Sequence, residues 1–259
     1  MATLTGYLIG QVIFAFVIAL ALAGVARLSR RQYEGSRFPT AARMFSIWWA
    51  GLGAAWVTWA IDTLVVHTAN SPRGLSAGLD YVLVAIYFTL IIVSFGSLFY
   101  YLLFVYVGSA RLSWTVWVIY GGLAIALALL LLTANPPGDY QVTGLYGSLY
   151  GDYQQVAGIL QAILLLPVIG AAVGLFFVAR RASDPGQRYR VLLISSALTF
   201  YLILPLVFGS NPGVEPSDAR GWIRELVNKI ALLTAVAAMW LAYHPPAWVV
   251  RRFRLEGSD

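Results

Sequence analysis

Cysteine is absent from the 259 residues, so disulfides, thiolate metal sites and cysteine nucleophiles are excluded, and redox chemistry gives no clue to the compartment. Charge is scarce as well: 11% of residues are charged, where a soluble domain carries about a quarter. There is a single lysine, Lys229, and there are two histidines, His67 and His244. The histidines fall at opposite ends of apolar segments, so they are not expected to share one metal or haem. Neither a Ser/His pair nor paired aspartates lie within the apolar segments, which argues against intramembrane proteolysis. A phosphate-cradling motif is missing too, since Gly121-Gly122 is followed by neither lysine nor serine. The expectation is a chain that is not an enzyme, with no catalytic residue, no metal and no cofactor.

What is present is apolar surface: 60% of the residues are hydrophobic. At roughly 20 apolar residues per crossing, about seven or eight spans fit and no soluble catalytic domain remains. Seven stretches meet the length test, at about Leu4–Ala26, Met44–Val66, Leu79–Val107, Trp114–Leu132, Val156–Val178, Val191–Gly209 and Trp222–Tyr243. The fold class expected is therefore all-α, a polytopic bundle of seven transmembrane helices forming one domain over residues 1–259. The N-terminus lacks the basic flank of a secretory signal and leads into a span long enough to stay in the bilayer.

Arginine sets the expected orientation. Arg27, Arg30, Arg31, Arg37, Arg43, Arg111, Arg180, Arg181, Arg188, Arg190, Arg251, Arg252 and Arg254 fall on one side, against Arg73, Arg220 and Arg224 on the other. Thirteen against three places the N-terminus outside and the C-terminus in the cytoplasm, in the cell inner membrane. The net charge of +6 is then a topology signal, with anionic lipid as its partner and no nucleic acid.

One connection is long. Residues 135–155 contain Gly-Asp-Tyr-Gln twice, at 138–141 and 151–154, with Tyr140, Tyr146, Tyr150 and Tyr153. Tyrosines suit the bilayer interface, and long ordered loops also serve as lids or contact surfaces. Short echoes between segments one to three and five to seven are no longer than chance allows.

Polar residues inside the spans carry what chemistry there is, because each is costly there and turns toward the bundle interior. Lys229 and Asp62 are expected at similar depth, in the outer third, where an ion pair would lower the burial cost of each. Glu225 precedes Lys229 by one turn, the favoured order for an i,i+4 pair. Gln11, Asn228, Gln155 and Gln161 lie at comparable depth, and Asp80 opens the third span. Two readings follow: a structural salt bridge with hydrogen-bonded amides tying helices one, two, five and seven together, or a small outward-facing ligand pocket.

The second span adds Trp48, Trp49, Trp56 and Trp59, which fall within about one quadrant at 100° per residue. Such a stripe packs the core or anchors the helix in lipid. Gly51, Gly53, Ala54 and Ala55 offer small surfaces for close helix approach. Pro167 and Pro205 are expected to kink their helices.

Seven spans with one lysine on the last are similar in topology to microbial rhodopsins, but the likeness ends there. Lys229 lies too near the outer end, the third span reads Asp80-Tyr-Val-Leu-Val-Ala-Ile-Tyr-Phe-Thr without the aromatic and proline pattern, and the sixth has no tryptophan. A second likeness covers more of the chain. The arginine-rich first inner loop, Phe104-Val-Tyr106-Val-Gly108 followed by Arg111 and Trp114, Thr133-Ala-Asn135-Pro136 and Tyr189-Arg190 resemble the seven-helix sensor region that precedes the catalytic part of some bacterial histidine kinases. No kinase domain is expected after Asp259, so the resemblance implies sensing of a ligand or of membrane state, with output through a separate membrane or cytoplasmic protein. An accessory subunit of a larger membrane complex, or a transporter of small molecules or ions, would need the same apolar bundle.

Overall fold

The computed structural model describes residues 2–33, 39–68, 75–108, 110–134, 154–208 and 219–253. Among the described residues there is no strand. The helices are α1 (Ala2–Tyr33), α2 (Pro39–Thr68), α3 (Leu75–Val107), α4 (Ala110–Ala134), α5 (Gln154–Arg181), α6 (Pro185–Phe208), α7 (Ala219–Tyr243) and α8 (Ala247–Phe253). Four stretches are long and apolar enough to cross a bilayer: Ile9–Arg31, Pro39–Asp62, Ala85–Tyr106 and Ala219–Tyr243. Helices α4, α5 and α6 have 25, 28 and 24 residues, against the roughly 20 that a crossing requires.

Local chemistry fixes several helix ends. Gly108 takes a left-handed φ of +68° and donates its N–H to the Phe104 carbonyl at 2.8 Å, a glycine cap closing α3. Asp184 accepts the Gln187 N–H at 2.6 Å through its carboxylate, and Pro185 occupies the first turn, so α6 starts with a satisfied N-cap. Helix α1 runs beyond the expected limit at Ala26, through Arg30 and Arg31 to Tyr33. Arginine favours the helix, and cations in its last turn complement the dipole. Pro245 and Pro246 lack N–H groups and end α7, after which the Pro246 carbonyl accepts the N–H groups of Val249 and Val250 to start α8. The apolar pattern gives no sign of this seven-residue helix.

Helix α1 packs on α2, α2 on α3, α3 on α5, α5 on α6, α6 on α7, and α7 returns to α1, which closes a ring; α4 lies against α3 and α5. The inward stripes of α1 and α7 follow alternating spacings of four and three. Gln11, Ala15, Ile18, Leu22, Val25 and Ser29 are buried on α1, and Gly221, Glu225, Asn228, Leu232, Ala235, Met239 and Ala242 on α7. That is the knobs-into-holes repeat, and it presents one stripe of each helix inward. Ile13, Val17 and Leu20 on α1 point outward, which costs nothing in an apolar solvent.

Small residues set the spacing of α2. A Cβ placed on Gly53 would stand 3.1 Å from the Ala19 carbonyl oxygen, so glycine allows the α1 and α2 backbones to touch. Gly51 does the same toward Ser94 of α3, and Ala55 is buried. Ala54 faces outward and plays no part in the approach expected of it. At the far end of this seam, the Ser29 and Ser46 hydroxyls lie 2.8 Å apart, and each donates to the Ala26 carbonyl, at 2.9 and 3.1 Å.

The tryptophan stripe points into the bundle: Trp48 and Trp49 are fully buried, Trp59 is buried and Trp56 is half-buried. Phe45 lies 4.4 Å from Tyr101 of α3, and Trp48 lies 6.1 Å from Tyr201 of α6 in an edge-to-face contact. Aromatic surface from α2 thus reaches across the ring.

Candidate functional site: a polar layer on α1, α2 and α7

Four of the polar residues singled out in the sequence occupy the inward stripes of neighbouring helices. Gln11 on α1 is 3% exposed, Asp62 on α2 1%, and Glu225 and Asn228 on α7 7% and 9%. Each continues a core repeat. Asp62 follows Trp59 by three residues, and Glu225 and Asn228 precede Leu232 at spacings of three and four. The same pattern that buries apolar side chains elsewhere therefore buries these.

Contacts tie the layer together across three helices. Lys229 Nζ lies 3.5 Å from Glu225 Oε2, the pair expected from their i,i+4 spacing. The same nitrogen lies 5.7 Å from the centroid of the Phe14 ring on α1, within range of a cation–π interaction. Phe14 meets Trp56 of α2 edge-on at 6.1 Å, and Trp56 meets Trp59 at 5.7 Å. A path of contacts therefore runs from Glu225 on α7 through Lys229, Phe14 and Trp56 to Trp59, one turn before Asp62. Lys229 itself is 26% exposed, so its ammonium sits at the margin of the layer.

The amides correct one expectation. They were to be hydrogen-bonded ties between helices, yet the Asn228 Nδ2 and Oδ1 atoms, and Gln11 Nε2, are buried with no hydrogen-bond partner. The heptad spacing that orients α7 brings Asn228 inward whether or not a partner awaits it. A buried, unsatisfied polar group costs about 1–3 kcal/mol, so the layer is held at some expense to stability.

Helix α5, which carries Gln155 and Gln161, packs against α3, α4 and α6. The side chains of Gln155, Gln161, Asp80, His67, Pro167 and Pro205, and the loop with Tyr140, Tyr146, Tyr150 and Tyr153, lie outside the described residues. Phe14 was not foreseen, and nothing distinguishes it in the sequence from the other phenylalanines. Two further unsatisfied donors were also missed, the indole N–H groups of Trp48 and Trp49 in the aromatic centre.

The opposite end of the bundle is basic. Arg27, Arg30, Arg31, Arg43, Arg111, Arg180, Arg181, Arg188, Arg251 and Arg252 are exposed there, at the ends of α1 to α8 joined by short connections. An apolar helical bundle, basic at one end and carrying a buried mixed-charge layer near the other, has the build of an integral membrane protein. No protein-family model matches the chain, and no curated protein is detectably similar to it.

Proposed function

We propose that this chain is a seven-helix receptor or sensor of the cell inner membrane, non-enzymatic, with its N-terminus outside and its C-terminus cytoplasmic. It binds a small ligand at the α1/α2/α7 layer and signals to a separate membrane or cytoplasmic protein. The carrying observation is the Asn228 amide, buried with Glu225 on the inward stripe of α7 and with neither of its polar atoms partnered. A ligand that satisfies those atoms favours whichever helix arrangement exposes them to it, and this difference in affinity drives the change. The basic ends of α1 and α5, and of α8 after α7, then present the change to the partner. The excess of arginine on that side supports its cytoplasmic placement.

Because the chain has no cysteine, orientation can be read directly from single substitutions. In intact cells an impermeant maleimide is expected to label Thr3→Cys and to reach Ser258→Cys only after permeabilisation. The reverse pattern would overturn the orientation.

Function is tested by recovering tagged protein from its native membrane in mild detergent and identifying what accompanies it. The expected companion is a signalling enzyme in stoichiometric amount whose rate differs between the wild type and Asn228→Leu. That substitution removes two unsatisfied atoms, so the variant is also expected to unfold at a higher temperature, by about 1–3 kcal/mol of stability. Recovery with respiratory, photosynthetic or translocation subunits instead would make the chain an accessory subunit. Uptake of solute by proteoliposomes of the protein alone would make it a transporter.

A further inference from the structure

We propose that the polar layer is a seat for a small organic ammonium ion, and that Lys229 occupies this seat as a tethered substitute. The inference rests on the ligand-site reading above and assigns the ligand's chemical class. A carboxylate and an aromatic face around one nitrogen recognise a cation, and Glu225 Oε2 and the Phe14 ring lie 3.5 and 5.7 Å from Lys229 Nζ.

Three features extend this from the lysine to a free ligand. The two buried charges of the layer, Asp62 and Glu225, are both negative, which disfavours an anion, while Arg220 and Arg224 at the same end of α7 are exposed. Asn228 Oδ1 is an unpartnered acceptor nine-tenths buried beside the pair, suited to an N–H donor that the lysine does not supply. Phe14, Trp56 and Trp59 form a chain of aromatic contacts leading from the ammonium, and carbon-rich surroundings suit a weakly hydrated organic cation better than a metal ion requiring a shell of oxygens. Gln11, one turn before Phe14 on α1, adds a buried donor without a partner in its Nε2.

Lys229 is partly exposed, so it can leave the seat without crossing the core. A tethered group competes with an effective concentration in the millimolar range, and a simple amine must match that to displace it. Displacement frees the α7 ammonium from the α1 ring, which couples occupancy of the seat to the α1–α7 seam.

Since Lys229 is the only lysine, selective 13Cε-lysine labelling of the full chain in detergent gives one side-chain resonance to follow. Ethylammonium chloride is expected to move it saturably toward the position of a solvent-exposed lysine, whereas sodium chloride at equal ionic strength leaves it in place. As a second measurement, ethylammonium is expected to raise the unfolding temperature of Lys229→Ala at concentrations about tenfold below those acting on the wild type, where the tether competes. Adding Phe14→Leu to Lys229→Ala, where the tethered ammonium no longer competes, is expected to raise the stabilising ethylammonium concentration about threefold. A lysine signal that ignores ethylammonium, or responds equally to sodium chloride, overturns the ammonium class and leaves the sensor reading to its own test. A saturable shift in a protein that recovers no signalling enzyme supports the seat and overturns the sensor.

Discussion

Trp48→Ala is expected to destabilise the bundle by about 3–5 kcal/mol, the largest effect of any single truncation in this chain. Trp48 is fully buried, and its ring centroid lies 3.8 Å from Trp49, 5.8 Å from Phe45 and 6.1 Å from Tyr201. Within a bilayer the return of an apolar side chain to its surroundings costs little, so water is not the source of this loss. The loss comes from close contacts given up across a cavity that α2, α3 and α6 cannot close by collapsing together. Trp48→Phe is expected to cost much less, because the indole N–H has no hydrogen-bond partner to lose. Trp248→Ala, at a position 61% exposed, is expected to be close to neutral. Denaturant titration of the detergent-solubilised protein, followed by circular dichroism, measures all three. A Trp48→Ala midpoint equal to that of Trp248→Ala would remove the aromatic centre as the structural core.

Lys229→Met is expected to cost about 2–3 kcal/mol, below the full penalty for breaking a buried pair because the lysine is partly exposed. The penalty arises on the other side of the pair: Glu225, 7% exposed, is left buried without its cation. Adding Glu225→Gln to the same protein is therefore expected to recover most of the stability. The double-mutant cycle then yields a coupling energy of about 1–3 kcal/mol. Additive effects would mean that the 3.5 Å pair contributes nothing to stability. The cycle separates a structural role from a binding one, since the repaired double variant restores the fold while leaving the seat without either charge.

The helices were legible because a bilayer imposes a length on every apolar run, and the periods of α1, α2 and α7 follow from the need to turn polar groups inward. Their ends were less so. Helix α1 continues into arginines that hydropathy counts as loop, and α8 is too short and too mixed to register after Pro245-Pro246. The Glu225–Lys229 pair was readable from spacing alone, since one turn of helix fixes it. The direction of the tryptophan stripe was not: core and lipid are both apolar, so periodicity identifies a face without saying what it meets. Phe14 and the unpartnered state of Asn228 depend on the rotation of α1 against α7, which no local pattern encodes.

The length of α7 has a mechanical consequence. Its polar residues lie toward one end and Tyr243 at the other, so a tilt about Tyr243 as fulcrum makes the helix a lever whose arm grows toward the polar layer. Lys229 lies fourteen residues from Tyr243, an arm of about 21 Å, so a tilt of about 15° at the fulcrum carries its backbone about 5 Å. That travel is comparable to the 5.7 Å between the ammonium and the Phe14 ring, so a small angular change of α7 against α1 corresponds to making or breaking that contact, while the Glu225–Lys229 pair, carried on one helix, moves as a unit.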